Sequence, residues 1–378
     1  MAKTGRLSAA IAAQSPTFPC QPAATCDPLT ARVKGVSGTR PELFAEFIRG
    51  MNRSGIPYCL LSGYESYPFV IDSDVDFMVS PQDGLRIKPL LHEIANHCGG
   101  LLVQAIQHET SACYYVLAKQ VADEVAYLHP DCTTDYRRNG RLWLAADEVI
   151  RNRRRFRTFF VPAVADEFQY YLIKKILKQH ISDSGLRRIA ALYLVRPAEC
   201  CERLRRLWTK ETTGRLVSAL VRGDVGWMEH HLGNLLEELC RSVPCESHYL
   251  RSIHRFRDCH RRMNRAFHPT GLCARVSRGS SAQRSYLSAA LERNLRSAFR
   301  RTKIIAEGQS GGVRAPVSVL LSKVRSTLVI REASTPARRW FTQDEVSFDL
   351  SDKGHPTVES ATRMVLEAMA NRLQRRIG

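Results

Sequence analysis

Two aspartates separated by one residue, Asp74 and Asp76, begin a short apolar segment. Side chains at positions i and i+2 of a strand point to the same face, so the two carboxylates should project together while Val75 and Phe77 point into a core. Like charges held this close repel each other. A divalent cation relieves that repulsion, and Mg²⁺ usually takes one or two carboxylates together with substrate phosphates. We therefore predict a site for a metal-bound nucleotide, with Mg²⁺ or Mn²⁺ as the cofactor.

A turn of small residues precedes the two aspartates. Tyr58–Ser62 is predicted to be a strand, Gly63 follows it, and a short loop leads to Asp74. The order of strand, small-residue turn, spacer and Asp-x-Asp strand resembles the minimal nucleotidyltransferase signature. It looks like the bacterial subgroup in which this domain precedes a thymidylate-kinase-like domain, often associated with polysaccharide gene clusters. The turn departs from the usual Gly-Ser or Gly-Gly because it reads Ser62-Gly63-Tyr64.

The resemblance implies roles for further residues. Members of this family usually have a third carboxylate on a later neighbouring strand, and Asp131 is the best match, with Asp135 as the alternative. The catalytic residues and metal ligands would then be Asp74, Asp76 and Asp131. The implied nucleotide-binding residues are Ser62, Gly63, Lys174 and Lys175. In the competing interpretation Asp131 caps a turn, and the lysines lie on a solvated basic helix face.

The distribution of apolar residues predicts an α/β protein with three regions. The first is a small mixed-sheet nucleotidyltransferase fold with the carboxylates near the edge of a cleft. Its remaining strand candidates are Val75–Val79, Leu101–Ile106, Ala112–Ala118 and Val125–Leu128. Its helix candidates are Pro41–Asn52 and Pro81–Cys98, the latter with Leu85, Ile87, Leu90, Leu91 and Ile94 inward. The predicted domains are a disordered leader at 1–40, a nucleotidyltransferase-like domain at 41–163, a helical domain at 164–267 and a degenerate thymidylate-kinase-like domain at 268–378.

The last region is predicted to be a truncated P-loop-kinase-like α/β tail. A strand at Pro269–Val276, a loop at 277–285 and a helix at Tyr286–Phe299 follow the layout of a P-loop. One further strand-like run, Val317–Ile330, and a terminal helix opening at His355 complete it. This is too short for the strands and lid of a complete kinase.

The P-loop motif itself is degraded. Aligned on Ser285, the motif Gly-x-x-x-x-Gly-Lys-Ser/Thr has Arg284 in place of lysine and Gln283 in place of the second glycine. Gly279 is one position out of register with the first glycine. Glycine is what lets the backbone curl around phosphates, and arginine does not have the shape of lysine at such a site. We therefore expect no kinase activity, and no Mg²⁺-binding partner for Ser285 is evident.

Charge and cysteine usage indicate the compartment and the possible partners. The net charge is +19 and the pI is near 9.7, which favours attraction to polyanions and anionic surfaces. No run approaches the roughly 20 apolar residues of a membrane span, and no signal peptide is evident. The 12 cysteines follow no disulfide framework. We predict a cytoplasmic protein without a transmembrane segment.

Residues 251–265 are dense in arginine and histidine, which alternate with apolar residues at Ile253, Phe256 and Met263. Such a segment could contact the phosphates or carboxylates of a nucleic acid or acidic polymer. The alternative is a solvated helix face.

These observations favour metal-dependent transfer of a nucleotidyl group from a nucleoside triphosphate to an acceptor that the sequence does not identify, in cell-surface polysaccharide production. Two alternatives stay open. One is a catalytically inactive nucleotide-binding scaffold or regulator of polysaccharide biosynthesis, which the degraded P-loop favours and the intact Asp74 and Asp76 pair opposes. The other is a protein that binds polyanions or nucleic acid, which only the charge supports.

Overall fold

The computed structural model describes residues 40–267, 270–305, 327–333, 345–350 and 356–375. All of them belong to one unit, residues 38–378. The fold is mixed α/β, so the predicted fold class is confirmed. Apart from Arg40, the predicted leader lies outside the described residues, as do 317–326 of the predicted strand and the predicted helix start at His355.

Six strands form the first sheet. They are β1 (Tyr58–Leu60), β2 (Val75–Val79), β3 (Leu101–Gln107), β4 (Ala112–Val121), β5 (Glu124–Leu128) and β6 (Pro130–Thr133). Their order is β1-β2-β6-β4-β3, and β5 pairs with the other end of β4. The β2–β6 pair is parallel and the other pairs are antiparallel, which makes the sheet mixed. Five of these strands were predicted from the sequence. Strand β6 was not, and it follows β5 after the single residue His129.

Two helices cover one face of this sheet. They are α1 (Arg40–Arg53) and α2 (Ile87–His97), and their apolar sides share a core with the strands. The predicted start of the second helix at Pro81 is wrong, because Gly84–Arg86 forms a separate 3₁₀ turn. Leu85, which was predicted to face inward, is 92% exposed. Side chains repeat every three residues in a 3₁₀ turn, so Leu85 is out of register with the buried side of α2.

Two short hairpins follow the sheet and were not predicted. They consist of β7 (Tyr136–Arg138) with β8 (Arg141–Leu144) and of β9 (Arg154–Phe156) with β10 (Phe159–Val161), separated by α3 (Ala146–Arg151). The first hairpin turns at Asn139 and Gly140, both with positive φ, which is the sequence typical of a two-residue hairpin turn. The strands are short and rich in arginine, so the apolar pattern gave no signal.

Helices then dominate, as predicted. They are α4 (Val164–Lys178), α5 (Asp183–Val195), α6 (Pro197–Leu207), α7 (Lys210–Arg222), α8 (Val225–Ser242) and α9 (His248–Phe267). Ser182, Thr209 and Asp224 cap three of them, each by accepting a hydrogen bond from a backbone N–H three residues later. Helices α4 to α8 enclose a second core. Helix α9 is different, since none of its described side chains is fully buried.

The tail contains a parallel sheet. Its elements are β11 (Leu272–Ser277), α10 (Ser281–Leu295), β12 (Arg301–Ile305), β13 (Thr327–Ala333), β14 (Glu345–Asp349) and α11 (Val358–Gln374). The strand order is β12-β13-β11-β14 and every pair is parallel. Strands β12 and β14 were not predicted. The helix predicted at Tyr286–Phe299 is present, but its predicted bounds are wrong, because α10 begins at Ser281 and ends at Leu295.

The tail and the first sheet share one core. Val103 of β3, Val116 of β4 and Tyr127 of β5 lie in the same buried cluster as the apolar sides of α10, α11 and the tail strands. Tyr127 Oη also donates to the carbonyl of Asn294 at 2.8 Å. Stability of the first sheet should therefore depend on the tail.

Within the described residues, no helix is both long and apolar enough to cross a membrane. The cysteines that the structure describes are free thiols.

Replacing Leu366 by alanine should destabilise the protein by about 2–5 kcal/mol, because a large side chain of the shared core is lost and leaves a cavity. Urea denaturation measures the change. Met364→Ala is the matched control, since Met364 lies on the same helix and is 46% exposed; its effect should stay below about 0.5 kcal/mol. Equal effects of the two substitutions would contradict a shared core.

Candidate functional site

Asp76 and Asp131 lie opposite each other on neighbouring parallel strands. The pairing of β2 with β6 aligns them. Val75 is fully buried, Asp76 is half-buried and Asp74 is exposed, as alternation along a strand requires. Asp74 lies one residue before β2, next to Val75, whose N–H donates to the carbonyl of His129 at 2.8 Å. The neighbouring strand, rather than a turn, therefore carries Asp131 to the pair.

One oxygen of Asp76 has two donors. Ser62 Oγ donates to Asp76 Oδ2 at 2.8 Å, and Lys174 Nζ donates to the same oxygen at 3.2 Å. Tyr170, one turn earlier on α4, accepts a hydrogen bond from Lys174 at its hydroxyl, 2.9 Å away. The lysine ammonium also lies over the Tyr170 ring, 5.0 Å from its centroid. The geometry brings the predicted residues Ser62 and Lys174 to the carboxylate.

Asp131 has a buried carboxylate oxygen without a donor. Its Oδ1 has no hydrogen-bond partner among the described residues, and His108 Nε2 is 3.8 Å away, beyond hydrogen-bond distance. Burial and the negative charges of Asp76 and Asp74 raise the pKa of Asp131 from 3.8 to about 7, against the opposing charge of Lys174. Near neutral pH this carboxyl can both hold and release a proton, as a general acid or base must.

Several neighbours act on the pKa of Asp74 in opposite directions. Its carboxyl is partly enclosed although the residue as a whole is exposed; burial raises its pKa, His129 opposes the rise and Asp76 adds to it. The His129 ring stacks on Tyr114, with ring centroids 5.8 Å apart, and its Nε2 is 2.9 Å from the carbonyl oxygen of Ser297. The tail therefore helps to hold the histidine beside Asp74.

A cavity of about 230 Å³ opens beside Asp74 and Asp131. The first sheet lines it with Gln104, Ile106, His108 and Tyr114, and the tail with Ser297, Ala298, Phe299 and Arg300. Asp76, Ser62 and Lys174 are not part of this lining. The carboxylates therefore have two different sides, one with a lysine and a serine and one with a cavity.

The residues present fit a divalent cation only with help from a substrate. No three His, Cys, Asp or Glu side chains in the described part of the chain are grouped closely enough to hold a metal by themselves. Mg²⁺ completes its shell with water and phosphate oxygens and needs only one or two carboxylates. The unpartnered oxygen of Asp131 and the mutual repulsion of the three aspartates are what a cation would relieve.

Two other predicted candidates lie elsewhere. Lys175 packs against the start of α5, since a Cβ added to Gly185 would lie 3.0 Å from its Cε, and it is not among the residues gathered at Asp76. Asp135, the alternative third carboxylate, accepts from the N–H of Ala146 at 3.0 Å and pairs with Arg137 at 2.9 Å. These contacts give Asp135 a structural role at the start of α3.

A buried hydrogen bond between Tyr64 and Glu167 holds the Ser62-Gly63 turn in place. Gly63 has φ 71° and begins the 3₁₀ turn Tyr64–Ser66, a conformation that glycine adopts without strain. Tyr64 is buried and its hydroxyl donates to Glu167 of α4 at 2.6 Å. The turn is therefore anchored to the same helix that carries Lys174.

The predicted P-loop at 277–285 is mostly helix. Ser280 caps α10, because its Oγ accepts from the N–H of Gln283 at 3.2 Å while the Gln283 side chain accepts from the N–H of Ser280 at 2.8 Å. This capping box satisfies two of the backbone donors, those of Ser280 and Gln283, that would otherwise be free for a phosphate.

Arg284 closes the same loop. It is buried and donates to the carbonyl of Gly279 at 2.7 Å. A Cβ added to Gly279, which has φ 64°, would lie 2.8 Å from Leu350, so packing fills the space beside this glycine.

Ser285 has an acidic neighbour that the sequence analysis missed. Its Oγ lies 3.5 Å from Oε2 of Glu332, which is buried near the end of β13. A hydroxyl and an acid from a neighbouring strand jointly hold Mg²⁺ in P-loop NTPases. In the sequence, Glu332 comes two residues after Ile330, the last residue of an apolar run. This acid was the signal that could have indicated a partner for Ser285.

Some residues around the carboxylates were not predicted. They are Tyr170, His108, His129, Arg300 and Arg40, whose charge opposes the rise that burial causes in the pKa of Asp74. Tyr170 precedes Lys174 by four residues, a spacing that places both on one helix face. His129 lies two residues before Asp131 in the sequence. Nothing in the sequence indicated Arg300, because a contact between the tail and the first sheet decides its position.

No protein-family model matches the chain, and no curated protein matches it. Two solved structures are similar, and each is described as a "putative nucleotidyltransferase". The one from Thermotoga maritima is 11% identical, with a TM-score of 0.26, over 37% of this chain and 89% of its own. The one from H. pylori is 14% identical, with a TM-score of 0.27, over 53% of this chain and 96% of its own.

Replacing Asp131 by asparagine should raise the melting temperature of the metal-free protein above pH 7, and the gain should shrink as the pH falls toward about 4. The folded pKa of about 7 exceeds the ordinary 3.8, so folding favours the protonated carboxyl. The stability that this proton brings is present below the unfolded pKa and is lost as the pH rises through the folded pKa. Thermal melts in EDTA across that range measure it.

Asp72→Asn is the control for that experiment. Asp72 is exposed in the loop before β2, and its replacement should leave the dependence of the melting temperature on pH close to that of the wild type. A stabilisation by Asp131→Asn that is equal at low and high pH would contradict the proposed burial of charge.

Proposed function

We propose that this protein is a metal-dependent nucleotidyltransferase that acts at Asp74, Asp76 and Asp131. The alignment of Asp76 with Asp131 across β2 and β6, with a buried carboxylate oxygen that lacks a donor, carries the proposal. The serine and lysine on one side suit the phosphates of a nucleoside triphosphate. The cavity on the other side leaves room for an acceptor. A role in cell-surface polysaccharide production follows from the sequence resemblance alone.

The reaction would be an attack by an acceptor hydroxyl on the α-phosphorus. A bond forms between the acceptor oxygen and phosphorus while the bond to the bridging oxygen breaks, and pyrophosphate leaves. Asp131 would either take the hydroxyl proton or help to hold the cation; its pKa of about 7 without a cation suits the first role at neutral pH. Lys174 leaves Asp76 to offset the charge of the phosphates. Gly63 lets the turn come close to them.

Asp74 and Asp76 would hold Mg²⁺ or Mn²⁺ together with the phosphates, and the free oxygen of Asp131 would join them where Asp131 does not act as the base. Such a cation neutralises the triphosphate and favours ionisation of the acceptor hydroxyl.

The ion pair between Lys174 and Asp76 favours a second candidate function, an inactive nucleotide-binding scaffold. The lysine supplies a positive charge where a metal would otherwise be needed. In that case nucleotide binding should not depend on a divalent cation, whereas the nucleotidyltransferase should require one.

Isothermal titration calorimetry with each of the four nucleoside triphosphates, with and without Mg²⁺, tests the proposal. We expect Mg²⁺-dependent binding by the wild type. Lys174→Met should weaken binding by about tenfold or more, because a hydrogen bond between charged groups is worth about 1.5–3 kcal/mol. Asp76→Asn should abolish the dependence on Mg²⁺.

Lys175→Met is the matched control, because this neighbouring lysine packs against Gly185 and should leave affinity unchanged. Absence of binding for all four triphosphates would overturn the proposal. Equal binding in Mg²⁺ and in EDTA would favour the scaffold.

A further inference from the structure

The cavity beside Asp131 has a wall that the tail supplies. Ser297, Ala298, Phe299 and Arg300 follow α10 and line it opposite the sheet. Two hydrogen bonds hold this segment in place, from His129 to the carbonyl of Ser297 and from Gln104 to that of Ala298. A third, from Tyr127 to the carbonyl of Asn294, holds the end of α10 just before it. The wall is therefore a fixed part of the site.

The mouth of this cavity is positively charged. Arg300 is exposed there. Arg261 of α9 contacts Gln107, which precedes the lining residue His108. The charges of both Arg261 and Arg300 act on His108 and on Arg265. Burial and the charges of Arg261 and Arg300 lower the pKa of Arg265. Arg261 is paired with Asp258 and donates to the carbonyl of Gln107. Arg265 and Arg300 make no ion pair with any residue that the structure describes.

Clustered arginines without acidic partners repel each other, and a bound anion removes that cost. Their planar forks match the oxygens of a phosphate. The nucleotide phosphates do not need these arginines, because Ser62 and Lys174 lie on the other side of the carboxylates. A cavity of about 230 Å³ has room for several water-sized groups.

We infer that the acceptor is a small alcohol that carries a phosphate, with its phosphate bound by Arg300 and Arg265 and its hydroxyl beside Asp131. This inference rests on the proposed function for the role of the hydroxyl. The phosphate site itself is independent of the nucleotide.

Calorimetry of the full chain with sn-glycerol 3-phosphate, without nucleotide or metal, tests the inference. Glycerol is the neutral control and should not bind. Arg300→Ala should weaken binding of glycerol 3-phosphate by about tenfold or more, as loss of a charged hydrogen bond predicts. Arg300→Lys should retain part of the affinity, because the charge remains. Arg296→Ala is the matched control, since Arg296 is exposed in the preceding turn and does not line the cavity.

Equal affinity of the wild type and Arg300→Ala, or no binding of glycerol 3-phosphate, would overturn the inference even if Mg²⁺-dependent nucleotide binding is observed. Arg300-dependent binding without any nucleotide binding would instead support the phosphate site and overturn the nucleotidyltransferase.

Helix α9 carries a second inference, because its apolar side faces away from the protein. Tyr249, Phe256 and Met263 recur every seven residues, which places them on one side of the helix, and they are 74%, 74% and 53% exposed. The half-buried residues of the helix are Arg251, Ile253, His254, Asp258, Arg261 and Arg265, and only Ile253 among them is apolar. A helix of a globular protein normally packs in the opposite orientation, so the outward stripe lacks a cover among the described residues.

Exposed arginines flank this stripe at Arg255, Arg257 and Arg262. Nucleic acid would require cations at the centre of the contact rather than tyrosine, phenylalanine and methionine. An apolar stripe bordered by arginines, on a chain of net charge +19, matches an anionic membrane surface. We propose that α9 binds such a surface with this side, lying in the interface plane.

Co-sedimentation with vesicles of equal parts phosphatidylserine and phosphatidylcholine tests this. The wild type should bind, and vesicles of pure phosphatidylcholine should bind it less. Phe256→Glu should reduce binding by about tenfold or more, since a charge replaces an exposed ring that would enter the membrane interface. Leu85→Glu is the matched control at an exposed apolar residue elsewhere. Failure of the wild type to bind, or a dimer that depends on Phe256 in sedimentation velocity, would overturn the proposal.

Discussion

The geometry of the candidate site depends on one buried carboxylate, that of Glu167. This side chain is fully buried in the first turn of α4 and accepts hydrogen bonds from Tyr64 at 2.6 Å and Arg188 at 2.8 Å, with Arg154 at 3.4 Å. Burial raises its pKa, and Tyr64, Arg188 and Arg154 oppose that rise. A buried charge without partners is strongly destabilising. The helix, the turn after Ser62 and the second hairpin must therefore meet at this point.

Helix α4 carries this constraint to the carboxylates. Lys174 follows Glu167 by about two helical turns, which places both on related faces of the helix. The contact that fixes Tyr64 next to the Ser62-Gly63 turn therefore also sets how far Lys174 lies from Asp76. The lysine balances charge in a cluster where burial and repulsion raise the pKa of Asp131. The buried contacts of Glu167 and the ion pair of Lys174 with Asp76 thus lie on one helix, and the contacts of Glu167 fix the position of Lys174.

How much the sequence predicted depended on whether the signal was local. The alternation around Asp76 and the apolar strands before and after it are local, and they gave the strands and the direction of the carboxylates. The register between β2 and β6 is not local, so Asp131 could only be suggested by resemblance. The start of α10 had a local signal that was misinterpreted. The capping box of Ser280 and Gln283 is visible in the sequence, but the P-loop motif assigned these residues to a loop, so the predicted helix start was five residues late. The position of Arg300 could not be predicted from the sequence, because it follows from packing between segments that are distant along the chain.

The tail affects the site through packing rather than through a phosphate loop. A parallel sheet needs apolar cover on both faces, and four short strands cannot bury enough surface alone. Helices α10 and α11 pack against the tail strands on one side, and Val103, Val116 and Tyr127 of the first sheet lie in the same buried cluster as these helices. The loop before α10 meanwhile satisfies its own polar groups with Gln283 and Arg284. The burial of apolar surface is thus what brings the segment after α10 to the carboxylates, and the shape of the cavity beside Asp131 follows from that burial.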